Sequence, residues 1–417
     1  MAETTDVLPG ATDDFADLIE PFSRRGVDLG LERLQAALAD LGHPERRFAA
    51  IQVAGTNGKG SICTLLHQAL LAAGLRAGLY TSPHLVSWTE RIRPGAEPIA
   101  AASLRHHLQA AAAAAQRHGL TPFELVTAAA FLAFAEAGLD LVVLEVGLGG
   151  RLDATTCHPD RRVIGFASIG LDHAEFLGPD AASIAAEKAA VLQPGAWAVS
   201  GPQQPEVAAV LGAQARRMGA RLEWVEPLDP SAWVLGLPGG VQQLNAAVAL
   251  GMLRALRAQG WTIPEAAIRR GFAAARWPGR LQRIHRLGVP LLLDGAHNPP
   301  AAQRLRRELD QHGQRHGLGP GPRRWVLGML ANKQGVEILQ ALLGPGDRAW
   351  IVAVPGHASW TAAALQDACP AAGVGLEQAE DLSEAIRRAA AGGSGQPVLV
   401  AGSLYLIGHL LAASAPE

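Results

Sequence analysis

Short apolar runs rich in β-branched residues alternate along the chain with longer alanine- and leucine-rich stretches. FAAIQVAG, RAGLYTS, LDLVVLEVG, RVIGFASIG and AWAVSG are mostly apolar with no regular polar alternation, the pattern of strands buried in a parallel sheet. Between them, SICTLLHQALLAAG, FELVTAAAFLAFAEAG and AASIAAEKAAVLQ repeat their apolar residues at helical spacing. The alternation predicts a mostly parallel sheet covered by helices, and two further helices, over 244–259 and 264–275, close this part. RWPGRLQRIHRLG then interrupts the pattern with a Pro-Gly pair and four arginines. It divides the chain into a first domain over 1–275, a linker over 276–288 and a second domain over 289–417. In the second domain PLLLDGAHN, RWVLGML, RAWIVAVPG and PVLVAGS read as strands, with helices from Pro300 and Ser359 and a closing helix. That is a smaller doubly wound α/β unit.

A chain of 417 residues is too long for one ordinary core, and 49% hydrophobic residues exclude a disordered chain. The net charge of −2 supplies no basic field for nucleic acid. Cys63, Cys157 and Cys369 form no CxxC pair, which fits a reducing compartment. MAETTDVLPGATDDF lacks the apolar core of a secretory signal, and the alanine runs are too short and interrupted to span a bilayer. The expectation is a cytoplasmic protein with neither nucleic acid nor membrane as partner.

The chemistry centres on VAGTNGKGS, which follows an apolar strand and opens a helix. Backbone amides of a glycine loop and a helix N-terminus cradle phosphate oxygens, and a lysine adds a point charge. Gly55, Thr56, Asn57, Gly58, Lys59, Gly60 and Ser61 make the candidate phosphate loop. The spacing departs from GxxxxGK[ST], with Val53 at the first position and Gly60 inserted between Lys59 and Ser61.

AGTNGKGS resembles the nucleotide loop of the Mur ligase superfamily, and most closely that of the folylpolyglutamate synthase/dihydrofolate synthase family. VDLGLERL (27–34), TSPHL (81–85), ERI (90–92), TPFELVTAAAFLAF (121–134), LEVGLGGRLDAT (144–155) and DHAEFLG (172–178) resemble successive motifs of that family. AAEKAAVL (185–192), RWPGRLQ (276–282), DGAHNP (294–299) and GSLYLIG (402–408) continue the series in order over nearly the whole chain. The resemblance implies an N-terminal Mur-ligase-like P-loop ATPase domain with a central mostly parallel sheet, binding ATP and pterin, and a smaller C-terminal Rossmann-like α/β domain.

It also implies an amide ligase that uses ATP and Mg²⁺ to add L-glutamate to dihydropteroate, giving dihydrofolate, and to reduced folates, through an acyl phosphate. The Mg²⁺ ligands it implies are Ser82, Glu145 and His173, with Ser61 adding one from the loop. Glu145 and Ser82 each follow a strand, at the edge where open α/β sheets hold ligands. Lys188 matches a lysine that is carbamylated in the family, its carbamate facing the metal. Only neutral lysine reacts with CO₂, and neutralising an ordinary lysine at pH 7 costs about 4.6 kcal/mol, a cost that burial lowers. An ion pair with Glu187 is the plainer alternative for this lysine.

Around the nucleotide the resemblance places Asn245, Arg280 and Asp294, with His297 orienting the nucleotide or the incoming glutamate. VQQ precedes Asn245 where the family has His-Gln, and ANKQG (331–335) lacks the family's acidic residues. The pterin contacts implied are Thr121, Pro122, Phe123 and Glu124 with Leu152, Asp153 and Ala154, and Asp28, Leu29, Gly30 and Leu31 add to the same pocket. Glu124 is equally placed to serve its own helix N-terminus. His297 and Asp153 are both candidates for the base that deprotonates the glutamate amine. The resemblance suggests a monomer. Two other readings are a Mur-type ligase acting on a UDP-sugar peptide, for which only about fifty residues precede the loop, and an inactive ATP-binding regulator.

Overall fold

The computed structural model describes residues 15–369, 375–391 and 395–412, so the N-terminal stretch read for a signal sequence lies, but for its last residue, outside the described residues. The chain divides at Trp277/Pro278, and Pro238–Gly240 groups with the second unit. The first unit is built on seven strands: β1 (Ala49–Ala54), β2 (Ala77–Tyr80), β3 (Ile92–Arg93), β4 (Leu141–Glu145), β5 (Arg161–Phe166), β6 (Trp197–Ser200) and β7 (Arg221–Trp224). Their order is β3-β2-β4-β1-β5-β6-β7, and only β3 runs antiparallel to its neighbour. Five of these follow the predicted runs. β1 lies between β4 and β5, in register so that Val53 pairs with Glu145 and Ala54 with Phe166. The loop after β1 and the residues after β4 and β5 therefore emerge together at one edge, where a strand-order reversal opens a crevice.

Helices cover both faces. Phe48, Tyr80, Phe131 and Phe134 pack in one apolar layer with the helix Pro122–Glu136, and the helices Lys59–Ala72, Val241–Ala258 and Glu265–Ala274 form the other. Gln52 is a polar residue in the fully buried centre of β1. Its Nε2 donates to the hydroxyls of Thr155 and Thr156 at 2.9 and 3.0 Å, fastening the loop after β4 to the central strand.

The second unit carries β8 (Gln282–Arg286), β9 (Val289–Leu293), β10 (Arg324–Leu327), β11 (Arg348–Ile351), β12 (Gly375–Gln378) and β13 (Val398–Ala401). Their order is β12-β11-β10-β13-β9-β8, with all neighbours parallel except β8 and β9. The segment 276–288 thus differs from the linker expected of it. Leu287 and the residue after it have φ of 54° and 72°, the sign that two-residue hairpin turns need at both positions, and QRIHR folds back on β9 as an edge strand. Among the described residues no helix is long and apolar enough to cross a membrane.

Candidate active site

Gly58 caps the helix Lys59–Ala72 with φ 102°, a conformation that suits glycine. The amides of a helix's first turn have no acceptor inside the helix, so Lys59, Gly60 and Ser61 present donors at its positive end. Thr56 and Asn57 also hold the loop in place. Their amides donate to the Ser168 carbonyl at 2.8 and 3.2 Å. The Thr56 hydroxyl donates to the Gly170 carbonyl at 3.0 Å and accepts from the Gly170 amide at 3.1 Å. These bonds tie the loop to the chain after β5. The Lys59 ammonium lies 3.3 Å from the Thr56 carbonyl. Asn245 reaches the loop from the helix Val241–Ala258: its Nδ2 donates to Gln242 Oε1 at 2.9 Å, and its Oδ1 lies 2.6 Å from where a Cβ on Gly58 would stand. Gln242 thereby takes a supporting part that the sequence did not signal.

Glu145 is buried at the end of β4, and the Ser82 amide donates to its Oε2 at 3.3 Å. The two expected metal ligands are thus neighbours. Glu145 and Lys59 both act on the buried Cys63 thiol, the carboxylate pushing it up and the lysine down, while burial is the larger effect. His173 sits left-handed at φ 53° with its side chain 40% exposed, 3.8 Å from Asp172 and 4.0 Å from Glu175. Among the described residues no three His, Cys, Asp or Glu side chains converge on one point. Ser82 and Glu145 nevertheless offer hard oxygens of the kind Mg²⁺ takes alongside water and phosphate.

Lys188 is buried in the helix Ala181–Ala189. Burial, helped by the nearby Lys59 and opposed by Asp172 and Asp153, pushes its ammonium down to about 7. Residues from four separate motifs therefore share one electrostatic neighbourhood. Glu187 is engaged elsewhere, with Arg151 at 3.0 Å, so the plainer reading of Lys188 as its ion-pair partner does not hold.

On the pterin side, Thr121 and Glu124 form a capping box for the helix Pro122–Glu136. The Thr121 amide donates to Glu124 Oε2 at 2.8 Å, and the Glu124 amide donates to the Thr121 hydroxyl at 3.3 Å. Arg33 adds a second partner, its guanidinium 3.3 Å from Glu124 Oε1 and 2.9 Å from Asp28. Arg33 thus joins Asp28–Leu31 to Thr121–Glu124, although nothing in VDLGLERL marks it out. Phe123 lies between Tyr80, at 6.1 Å between ring centroids, and Gly147, where a Cβ would stand 2.6 Å from its ring. Gly30 and Ala154 are buried, and Leu29, Leu31 and Leu152 partly so.

The Asp153 carboxylate is fully occupied. It accepts from the amides of Gly147 at 2.9 Å and of Leu148 and Thr155 at 3.0 Å, and from the Thr155 hydroxyl. Burial pushes it up against these four donors. It shapes the loop 147–155, and the four donors count against a part as base.

In the second unit, Asp294 follows β9 and accepts from the Leu281 amide at 3.1 Å and the Ala296 amide at 3.0 Å. Burial pushes its carboxyl up and the Arg280 cation opposes this. WPGRL and DGAHNP are thereby joined. His297 Nδ1 is 2.8 Å from the Gly295 carbonyl. A carbonyl only accepts, so Nδ1 carries the proton and the neutral ring's lone pair is on Nε2.

A phosphate loop at the switch point of one sheet, and a second doubly wound sheet with its own charged edge, define a two-domain nucleotide-dependent enzyme. The family model described as the dihydrofolate synthetase C-terminal domain matches residues 280–413. The dihydrofolate synthase/folylpolyglutamate synthase of Escherichia coli strain K12 is 39% identical over 301 residues, covering 69% of this chain and 70% of that one. Among solved structures, E. coli FolC in complex with DHPP and ADP aligns with a TM-score of 0.83 at 32% identity, over 97% of this chain and 98% of that one. A bifunctional folylpolyglutamate synthase/dihydrofolate synthase with Mn, AMPPNP and L-glutamate bound aligns with a TM-score of 0.83 at 34% identity, over 98% and 99%. The chain belongs to the dihydrofolate synthase/folylpolyglutamate synthase family. It is an ATP-dependent ligase that adds glutamate to pteroate and folates in folate biosynthesis.

Proposed function

We propose that this chain catalyses both reactions: addition of L-glutamate to dihydropteroate, and further addition to reduced folates. The observation that carries the reading is the convergence of Lys59, Ser82, Glu145 and Lys188 at one sheet edge. An oxygen of the acceptor carboxylate attacks the γ-phosphorus of ATP, the bond to the β-phosphate oxygen breaks, and ADP leaves. The glutamate amine attacks the carbonyl carbon of the acyl phosphate, the carbon–oxygen bond breaks, and inorganic phosphate leaves. Lys59 and the first-turn amides hold phosphate oxygens while charge is redistributed. In the second unit, Asp294 fixes the turn that carries the Arg280 cation. Between the two candidate bases we favour His297, because Asp153 already accepts four hydrogen bonds.

Mg²⁺ held by Ser82 and Glu145, with Ser61 and His173 as further ligands, would neutralise phosphate charge. That L-glutamate, DHPP and nucleotide bind to relatives supports the substrate set. Lys188 fits carbamylation, since burial already favours the neutral amine that CO₂ needs. A carbon–nitrogen bond forms there and one proton is released. Labelling with carbon-13 bicarbonate, with and without Lys188→Met, checks this directly. The protein acts as a monomer in the cytoplasm on this reading, which sedimentation and fractionation test.

The deciding assay follows phosphate release with ATP, Mg²⁺ and L-glutamate, adding dihydropteroate or tetrahydrofolate in turn, with mass spectrometry of products. Turnover with one acceptor alone removes the second activity. Faster turnover of a UDP-sugar peptide would transfer the chain to that substrate class.

A further inference from the structure

The loop between β2 and β3 contains a built cluster that the proposed reaction has not used. The Glu90 carboxylate accepts from three successive amides, those of Leu85, Val86 and Ser87, each at 2.8 Å. Trp88 stands on the resulting turn, with the His84 ring 4.7 Å from its centroid on one side and the Arg91 guanidinium 4.2 Å from it on another. The Arg91 Nε–H donates to His84 Nδ1 at 2.9 Å. Arginine has no acceptor, so Nδ1 is the unprotonated nitrogen and the ring proton is on Nε2. Nε2 has no hydrogen-bond partner among the described residues and is not sealed in the interior.

We propose that His84 is a neutral Nε2–H donor to a carboxylate of a bound substrate, and that Arg91 is the positioning residue that fixes its tautomer. The inference rests on the ligase reading above. His84 is two residues beyond Ser82, whose amide reaches Glu145, so the loop starts at the edge where the reaction is placed. Both organic substrates bring carboxylates there: the acceptor brings the one being activated, and glutamate brings two. A donor held in one tautomer and braced by an aromatic ring loses little freedom on binding. Glu90 supplies the rigid turn on which this depends.

The tautomer is read first, by nitrogen-15 NMR of the substrate-free protein with labelled histidine and the His84→Gln variant for assignment. A proton on Nε2 and a bare Nδ1 are expected, and the reverse overturns the proposal regardless of activity. Steady-state kinetics then compare wild type with His84→Phe, which keeps a ring against Trp88 but has no donor, and with His84→Gln, which keeps an N–H at a similar reach. Loss of one hydrogen bond to a charged group raises the KM of the bonded substrate roughly ten- to a hundredfold. His84→Phe is expected to raise one KM by that factor with little change in kcat, His84→Gln to restore most of it, and Arg91→Leu to fall between. A rise for the pteroate or folate acceptor identifies its carboxylate as the partner; a rise for glutamate identifies the other. Wild-type KM values for both in His84→Phe overturn the donor role. A wild-type protein with no ligase activity sinks the functional reading, while the NMR result still reports on the Arg91–His84 device.

Discussion

Asn245 fills the space that a side chain on Gly58 would need. Its Oδ1 lies 2.6 Å from the Cβ position of that glycine, and Gly58 holds φ 102°. Gly58→Ala therefore meets two obstacles, a backbone conformation costing roughly 1–3 kcal/mol for a non-glycine residue and a collision with a buried amide that Gln242 holds in place. The expected result is a lower unfolding free energy and ATP affinity reduced at least about tenfold, read by denaturant titration and calorimetry. Adding Asn245→Ala removes the collision alone, so the double variant should recover only part of the loss. Full recovery would show that backbone strain contributes nothing.

Lys188 gives a pH signature. Its folded-state pKa of about 7 lies below the ordinary value of 10.5. Below pH 7 both folded and unfolded chains hold the proton, and the fold bears the full penalty of a buried cation. Between the two values the unfolded chain keeps a proton that the folded chain has lost, so this residue makes stability rise with pH. Lys188→Met should be more stable than wild type near pH 7 in bicarbonate-free buffer, with the gap clearly narrower by about pH 9. The same variant should lose ligase activity. Denaturant midpoints at the two pH values check the first part, and a gap that stays constant contradicts the buried-amine account.

Arg33 tests the pterin side. The buried Glu124 carboxylate has the Thr121 amide and this guanidinium as partners, and Asp28 is fixed by the same side chain. Arg33→Met keeps the apolar stem and removes the donors. Leaving Glu124 half-satisfied should cost roughly 1–3 kcal/mol of stability. It should also raise the KM for dihydropteroate more than that for ATP, because both tethered segments lie on the expected pterin wall. Equal changes in the two KM values would mark Arg33 as a fold residue only.

What could be read in the sequence depended on how each residue earns its place. The nine apolar strand runs were legible because burial on both faces leaves no polar alternation to misread. β7 and β12 were not, since RLEW and GLEQ sit at sheet edges with half their residues in solvent. Loop, strand-end and lysine motifs pointed to Lys59, Glu145 and Lys188, and the fold brings them together. Arg33, Gln242 and the Arg91–His84 bond were silent because each acts through a partner 3 to 91 positions away, and a lone sequence gives no sign of such pairing. Asp153 misled for the opposite reason: a carboxylate in a glycine-rich loop looks free to act until its four donors are counted.

Trp277 is the last residue of the first unit, and its ring lies against Gly60 in the first turn of the helix that starts the phosphate site. A Cβ on Gly60 would stand 2.9 Å from three atoms of the indole, closer than carbon atoms pack without one of them moving. Gly60→Ala should therefore displace either the ring or the turn whose amides face phosphate, lowering kcat/KM for ATP about tenfold. Trp277→Ala alone should cost less, because the turn keeps its geometry when the ring is removed. In the double variant the new methyl group has nothing to strike, so the loss should be smaller than the sum of the two single effects. The cycle measures that coupling, which residues in direct contact show and distant ones do not. Strict additivity would mean that the indole and the turn act independently, and the ring would then have no part in holding the phosphate site.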